Sequence, residues 1–583
     1  MACYQSKSSE VTDIESLIDL DKTKPLFLDK PELLVEIVKE YINSDIDTTN
    51  KLNKFILNMR RKFNISFGNV QLLYGYRLAI RNKIIEDKPK LRQLLKSKIC
   101  REHSGIASIT VMTSAYPKTG EKIEKFSCKY DCHYCPNPPD MPRSYIPEEP
   151  AVARAIRNKF NCISQMRERI TALIGNNIEV TKLEILVLGG TWSSYSIEYR
   201  DEFIRDIFYS VNTYFDKEPI RQPLTIKEEQ HINETSVCRI IGLTIETRPD
   251  QINKKELKML RYYGVTRVQL GIQHIDDEIL RKVNRQCYTE DTIRAVKLLK
   301  DCCFKVDGHF MPDLPGSNPE KDYKMFEYIF KSPYIQVDQI KIYPTTITPY
   351  TKIKEWYDKD EFIPYAEQII EVEINGKKQK STPLFELLIN VQNIVPYWIR
   401  INRIIRDIPN SWINGGNNVT NLRQLLDTEM QKRNIICKCI RCREIKRKNV
   451  DTNLAQLFIE KYESSEGTEY YLSYETSDRR TLFGFLRLRL SQNAGADIFD
   501  ELEYRALIRE IHVYGNTARP DVEYSKGNAQ HMGFGKKLII EAENIAKKEG
   551  FAGIAVISGI GVRNYYRKLG FIDGEYYLVK DLI

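Results

Sequence analysis

Three cysteines, Cys128, Cys132 and Cys135, fall within the run CKYDCHYC. The spacing C-x3-C-x2-C puts three thiolates on one short loop. That is enough for three corners of an iron–sulfur cube, which ordinarily takes four cysteine ligands, and it leaves one iron open to a substrate or cofactor. The alternative is a zinc knuckle completed by His133, but that residue lies between two of the ligands and is badly placed to close a tetrahedron. A second triple, Cys437, Cys439 and Cys442 in ICKCIRCRE, has the tighter spacing C-x-C-x2-C of a compact metal clip, with zinc the expected ion. Its fourth ligand must come from elsewhere, with Cys100, His231 and Cys238 as candidates; three free cysteines in a basic loop is the alternative. A third pattern, Gln530-x-x-Gly533-x-Gly535, stands just before a long amphipathic segment. Backbone N–H groups at such a glycine-rich helix start can cradle a pyrophosphate.

These groups need a scaffold. From 104 to 345 six β-rich runs alternate with amphipathic helical stretches: SGIASITVM, KLEILVLGG, RIIGLTIET, RVQLGIQHI, KVDGHFMP and QIKIYPT. The alternation implies a parallel sheet with right-handed crossovers. Six units make a partial (β/α)6 barrel, whose active site belongs at the C-terminal strand ends. The cysteine loop follows the first strand. Gly189, Gly190 and Thr191 end the second, where a backbone without side chains admits a charged ligand. Glu246 to Asp250, Gln273-His274, His309 with Met311 to Asp313, and Lys341 with Tyr343 end the others. Beyond 460 a hairpin (EYYLSYET, LFGFLRLRLS), the strand ALIREIHVYG, the glycine-rich helix start, the strand GIAVISGI and the helix VRNYYRKLG come in turn.

The 583 residues carry a net charge of +9, distributed unevenly. Residues 51–101 hold 14 Lys/Arg against Glu86 and Asp87, and 398–448 hold 12 against four acids. Two such blocks around a catalytic region point to a polyanionic partner. The stretch 54–83 interleaves aromatics with Arg60, Arg61 and Lys62 on expected helices, a surface able to pair cations with phosphates and rings with bases. The expected organisation is a flexible N-terminus (1–30), a helical basic region (31–103) for the polyanionic partner, the barrel (104–397), a basic linker with the metal clip (398–459) and a C-terminal α/β domain (460–583). No run reaches the ~20 apolar residues of a membrane span, and the N-terminus lacks a secretory signal pattern. Clustered cysteines in a chain with an odd total of 13 suit metal binding in a reducing compartment, so a cytoplasmic protein is expected.

The first cysteine motif, with Tyr134 before its last ligand, resembles that of radical S-adenosylmethionine (SAM) enzymes, in which the open iron chelates SAM and one electron releases a 5′-deoxyadenosyl radical. The C-terminal order resembles a GNAT-type acetyltransferase, whose phosphate loop grips coenzyme A. Together they resemble the Elongator catalytic-subunit family from about residue 31 onward, most specifically in CHYCPNPPD, VLGGTW, GLTIETRPD, KVDGHFMPDLPGS, IKIYPT, RDIP, REIHVYG, QHMGFGKKL and AVISGIGVRNYYRKLGF. The resemblance implies a 4Fe–4S cluster on Cys128, Cys132 and Cys135, SAM, acetyl-CoA, and carboxymethylation at carbon-5 of the wobble uridine in a tRNA anticodon stem-loop, with accessory Elongator-like subunits as partners. It also implies that Lys182 reaches acetyl-CoA, that Glu510, Ile511, His512 and Val513 run beside its acetyl and pantetheine groups, that Phe534, Gly535 and Lys536 form the phosphate loop, and that Tyr566, with Tyr565 beside it, lies near the thioester. Residues 284–289 read NRQCYT where the family often reads N-R-G-H-T, losing a glycine and a histidine. A protein lysine acetyltransferase with a structural barrel is the alternative function.

Overall fold

The computed structural model describes residues 14–25, 30–95, 105–124, 126, 128–374, 376–445, 450–514 and 533–582. Seven strands lie in chain order across one parallel sheet: β1 (Ala107–Met112), β2 (Lys182–Leu188), β3 (Arg239–Thr247), β4 (Arg267–Gln273), β5 (Lys305–Phe310), β6 (Gln339–Ile342) and β7 (Arg400–Arg403). Parallel neighbours require crossovers, and the crossover helices start where the sequence supplies caps. Asn161, Ser196, Asn253, Asn318 and Thr382 each accept a hydrogen bond from a backbone N–H in the first turn, which satisfies a donor the helix leaves unpaired. The result is a half-barrel. The expected six strands are one short, and the expected linker start at 398 falls at the added strand. β7 pairs with β6 through Arg400↔Gln339 and Ile401↔Ile340. Its sequence, RINR, has no apolar run to mark it as a strand, and only Ile401 enters the core.

A second sheet of seven strands follows, in the order β8-β9-β10-β11-β12-β14-β13: β8 (Gln456–Ser464), β9 (Gly467–Glu475), β10 (Leu482–Leu490), β11 (Arg505–Val513), β12 (Gly553–Val556), β13 (Ile572–Asp573) and β14 (Leu578–Asp581). Its pairs are antiparallel except β11–β12, which run parallel on either side of the helix Phe534–Lys548. Side chains alternate between faces. Leu486, Leu488, Ala506 and Ile508 pack with Leu538 and Ala542 of that helix. The opposite face carries Arg487, Arg489 and Arg509, all buried, and meets the half-barrel. There Arg489 binds Asp301 at 2.6 Å, and Arg509 takes both oxygens of Asp338 at 2.6 and 2.7 Å. Leu507 and Ala555 join the barrel's own apolar core.

Three helices, Pro31–Ile42, Thr49–Phe63 and Asn69–Arg81, form a separate small core around Leu34, Tyr41, Leu52 and Tyr76. They dock on the helix Cys162–Gly175 through Arg77, whose Nη1 donates to the Ile174 carbonyl at 2.9 Å. The described part of the N-terminal segment expected to be flexible is held in place: Glu15 pairs with Arg77 at 2.9 Å and with Arg92 at 3.6 Å. No helix among the described residues is long and apolar enough to cross a membrane.

Candidate active site

The cysteine loop caps the C-terminal rim of the half-barrel, as the motif's place after β1 implies. Cross-loop hydrogen bonds shape it: His133 N–H donates to the Val283 carbonyl at 2.9 Å, and Asn284 Nδ2 donates to the Asp131 carbonyl at 2.8 Å. The three thiols have different surroundings. Cys128 Sγ lies 3.5 Å from the Thr191 hydroxyl. Cys132 is reached by Arg285 Nη1 at 3.6 Å and Arg248 Nη1 at 3.8 Å. Burial pushes the Cys132 thiol up, but Arg285 and Arg248 outweigh it and the net shift is downward. Burial and the neighbouring Cys132 push Cys135 up to about 11. Three cysteines on one rim loop, one of them matched to cationic donors, fit a cluster with three thiolate ligands. The zinc-knuckle alternative is not favoured: His133 Nδ1 lies 3.2 Å from the Lys282 carbonyl and its ring packs edge-on against Trp356.

Gly189 and Gly190 have positive φ, 118° and 44°. A Cβ on Gly190 would strike the Phe126 ring, and one on Gly189 the Thr113 hydroxyl. The protein's own packing therefore already demands glycine at both positions, and Thr191 is buried against the cysteine loop.

A cavity of about 1890 Å³ starts beside this loop, at Tyr134 and Pro136, and runs through the barrel interior to the second sheet. Its walls follow the period-2 alternation of the strands. On β2, Lys182, Glu184 and Leu186 face the cavity, while Leu183, Ile185 and Val187 face the core. The interior is polar along its length. Tyr145 donates to Glu246 at 2.8 Å, Lys341 donates to Gln269 at 2.6 Å, and Gln269 donates to Asp307 at 3.0 Å. Burial, partly offset by Arg267 and Lys341, raises the Asp307 carboxyl to about 6.

At the far, N-terminal rim the first residues of the strands meet the second sheet. Arg267 and Lys305 each approach Glu510 at 3.8 Å, and Arg487 Nε donates to it at 3.0 Å. Burial works against ionisation of Glu510, but Lys305, Arg487 and Arg267 prevail and hold it down at about 2. Burial lowers His512 to about 4, leaving it neutral. Burial and Arg239 also lower Lys182. Ile511, His512 and Val513 line the cavity together with Gly533, Gly535, Lys536, Tyr565 and Tyr566. Gly533 caps the helix Phe534–Lys548 at φ 67°, a left-handed conformation that suits glycine. Phe534 turns inward and stacks on Tyr474 at 4.6 Å, so only its backbone faces outward. Tyr566 is buried and Tyr565 is 42% exposed, with the Tyr565 hydroxyl 2.7 Å from where a Cβ on Gly535 would stand. Gln530 lies outside the described residues.

The second cysteine triple sits beside β7, where Ile440 N–H donates to the Ile399 carbonyl at 3.0 Å. The Cys437, Cys439 and Cys442 sulfurs all lie within 4.8 Å of one another, the one such group among the described residues, which fits a single ion. Arg423 Nη2 donates to Cys442 Sγ at 3.3 Å. Burial raises Cys439, but hydrogen bonds from Cys437 and Cys442 lower it well below the usual thiol range. His231 and Cys238 do not join the group, and Cys100 lies outside the described residues. Arg60, Arg61 and Lys62 are exposed on the N-terminal helices. Arg60 Nε caps the Phe67 carbonyl at 2.7 Å, and Lys62 pairs with Glu40 at 2.6 Å.

Sequence reasoning missed the polar interior, because charged residues inside parallel strands look like interruptions of a buried run rather than a cavity wall. It also missed Arg285, although the NRQCYT run drew attention to that loop.

Residues 125–329 match the model of the radical SAM superfamily, and residues 337–432 match that of the radical SAM C-terminal domain. The tRNA uridine(34) acetyltransferase of Methanocaldococcus infernus is 37% identical over 85% of this chain and 89% of its own length. Elongator complex protein 3 of Homo sapiens is 34% identical over 84% and 86%. The solved structure of Methanocaldococcus infernus Elp3 lacking residues 1–46 superposes with a TM-score of 0.68 at 35% identity, covering 82% of this chain and 99% of that one. Identity at this level over nearly the whole length of both partners means that the chain belongs to the family of the tRNA uridine(34) acetyltransferases and Elongator complex protein 3, radical SAM enzymes that use a 4Fe–4S cluster and SAM.

Proposed function

We propose that the protein is a tRNA uridine(34) acetyltransferase that builds a carboxymethyl-type group on carbon-5 of the wobble uridine from acetyl-CoA. The observation that carries this reading is the single cavity joining the cysteine-loop rim to the β11 edge and the glycine-rich helix start. Carbon-5 of uracil is a poor target for polar acylation. When bound at the rim, the cluster and SAM supply a carbon-centred radical, and the protein supplies position. A seven-residue strand separates the two rims by about 20 Å, and the polar interior keeps that passage wet and charge-balanced.

The second sheet supports a GNAT-type reading. The parallel β11–β12 pair brackets a helix whose first backbone N–H groups, at Phe534, Gly535 and Lys536, would meet a pyrophosphate. Lys182, Lys536 and Tyr566 reach the same space, with Tyr565 on its more exposed edge. Gly189, Gly190 and Thr191 would act toward SAM through backbone and hydroxyl groups. Cys437, Cys439 and Cys442 would hold zinc as a structural clip between β7 and the second sheet. Arg60, Arg61 and Lys62 would take anticodon stem-loop phosphates, and a loop base can be splayed out toward the cavity at a cost of a few kcal/mol.

Mass spectrometry of tRNA nucleosides after gene deletion tests the proposal. Carboxymethyl-type wobble uridines should disappear. Unchanged tRNA with altered protein lysine acetylation would favour the protein acetyltransferase instead.

A further inference from the structure

Two motif arginines come from different loops to one sulfur. Arg248, in the run ETRPD after β3, and Arg285, in the run NRQ after β4, are 4% and 5% exposed, and each points Nη1 at Cys132 Sγ, itself 6% exposed. Their surroundings differ in a way that matters. Arg248 is already balanced: it pairs with Asp250 at 2.8 Å, stacks 3.4 Å over the Tyr130 ring and donates Nη2 to the Arg285 and Gln286 carbonyls. Arg285 donates Nη2 to the Gly271 carbonyl, its Nε has no partner, and no carboxylate pairs with it among the described residues. A buried guanidinium without a counter-charge is costly. The Cys132 thiolate is the nearby anion that can balance it. The other two thiols are placed differently: Cys128 has the Thr191 hydroxyl, and the one guanidinium that reaches Cys135, that of Arg143, is paired with Asp131.

We propose that Arg285, assisted by Arg248, is a tuning residue for the iron–sulfur cluster. By donating to Cys132 Sγ the pair draws electron density from that ligand and raises the cluster's reduction potential. The inference rests on the reading of Cys128, Cys132 and Cys135 as cluster ligands. Its physical basis is general: hydrogen bonds to the sulfurs, net charge and burial set the potential of such clusters. One-electron reduction adds one negative charge to the cube in a low-dielectric site, where a fixed positive charge a few ångströms away favours the reduced form.

The test is a redox titration followed by electron paramagnetic resonance on the anaerobically reconstituted full chain, with dithionite as the one-electron donor and no SAM present. Iron content is measured on the same samples. Arg285→Gln should disfavour reduction about tenfold, a fall in potential of about 59 mV, with iron content unchanged. Arg248→Gln should move it in the same direction by less, because Asp250 already neutralises that side chain. Arg285→Lys, which keeps the charge but not the planar fork, should fall between wild type and Arg285→Gln. An unchanged potential in iron-replete Arg285→Gln overturns the proposal. So does a variant that keeps the wild-type potential but no longer binds SAM, since the arginines would then serve the SAM carboxylate. If Arg285→Gln fails to hold iron, Arg248→Gln decides: a lowered potential supports the proposal and an unchanged one overturns it. Failure of the underlying ligand reading would be visible separately, as wild-type protein that takes up no iron.

Discussion

Each rim of the half-barrel carries a cysteine triple, and the two triples are built in opposite ways. At the C-terminal rim Cys128, Cys132 and Cys135 sit on a loop and are spread out, each with its own polar neighbour. At the N-terminal rim Cys437, Cys439 and Cys442 are drawn within 4.8 Å of one another beside β7, next to a layer of buried ion pairs that joins the two sheets. A cube presents its corners to ligands that stand apart, whereas one tetrahedral ion needs them close. The closer spacing of the first two cysteines would not by itself decide this; the clip is tight because a short helical turn, Ile440–Arg443, folds Cys442 back toward Cys437 and Cys439. The candidate cluster ligands thus stand on a loop at one rim, and the candidate clip lies beside the seam between the two sheets.

The sharpest way to break this contrast is to exchange one ligand at each rim. Cys132→Ser should abolish iron–sulfur absorbance and wobble-uridine modification while leaving bound zinc in place. Cys439→Ser should remove zinc, keep iron, and lower Tm by more than the ~2–4 °C that about 1 kcal/mol brings in a large domain. Loss of both metals in both variants would erase the distinction. Next in size, Asp338→Ala strips Arg509 and Arg487 of a buried counter-charge and should cost roughly 3–5 kcal/mol, read as a lowered urea midpoint; a midpoint within error of wild type would mean the seam is not held by these pairs.

A smaller effect at the same rim depends on pH. His512 is depressed from 6.5 to about 4 by burial, so its contribution is complete above pH 6.5 and is lost as pH falls toward 4. Glu510, held near 2 instead of 4.5, contributes fully above about pH 4.5 and loses that contribution as pH falls toward 2. A tenfold change in proton affinity between the folded and unfolded chain is worth about 1.4 kcal/mol. Denaturation curves from pH 7 to 4 should therefore show a progressive loss that His512→Gln flattens; an equally steep loss in that variant would assign it to other groups. Smallest of all, Gly190→Ala at the opposite rim presses a methyl group onto Phe126. It should cost about 1–3 kcal/mol and lower iron occupancy through the Thr191–Cys128 contact, without changing bound zinc.

What could be read in the sequence was whatever is local along the chain. The cysteine spacings, the β-rich runs of β1 to β6 and the glycine at Gly533 depend on neighbours within a few residues, and each lies where that local chemistry put it. β7 was missed because four residues with one buried isoleucine carry too little pattern, and the sheet edge supplies the pairing that the run lacks. The expected roles of Lys182, His512 and Tyr566 came from family resemblance, and nothing in their own segments says that they share a cavity. Tertiary structure alone decided that Arg248 and Arg285, from separate loops, meet at one sulfur, and that strand starts from the barrel face β11 across a charged seam. The physical reason is that burial and low dielectric are properties of the assembled sheets: a charge becomes expensive, and so has to be matched, only after distant segments have excluded water around it.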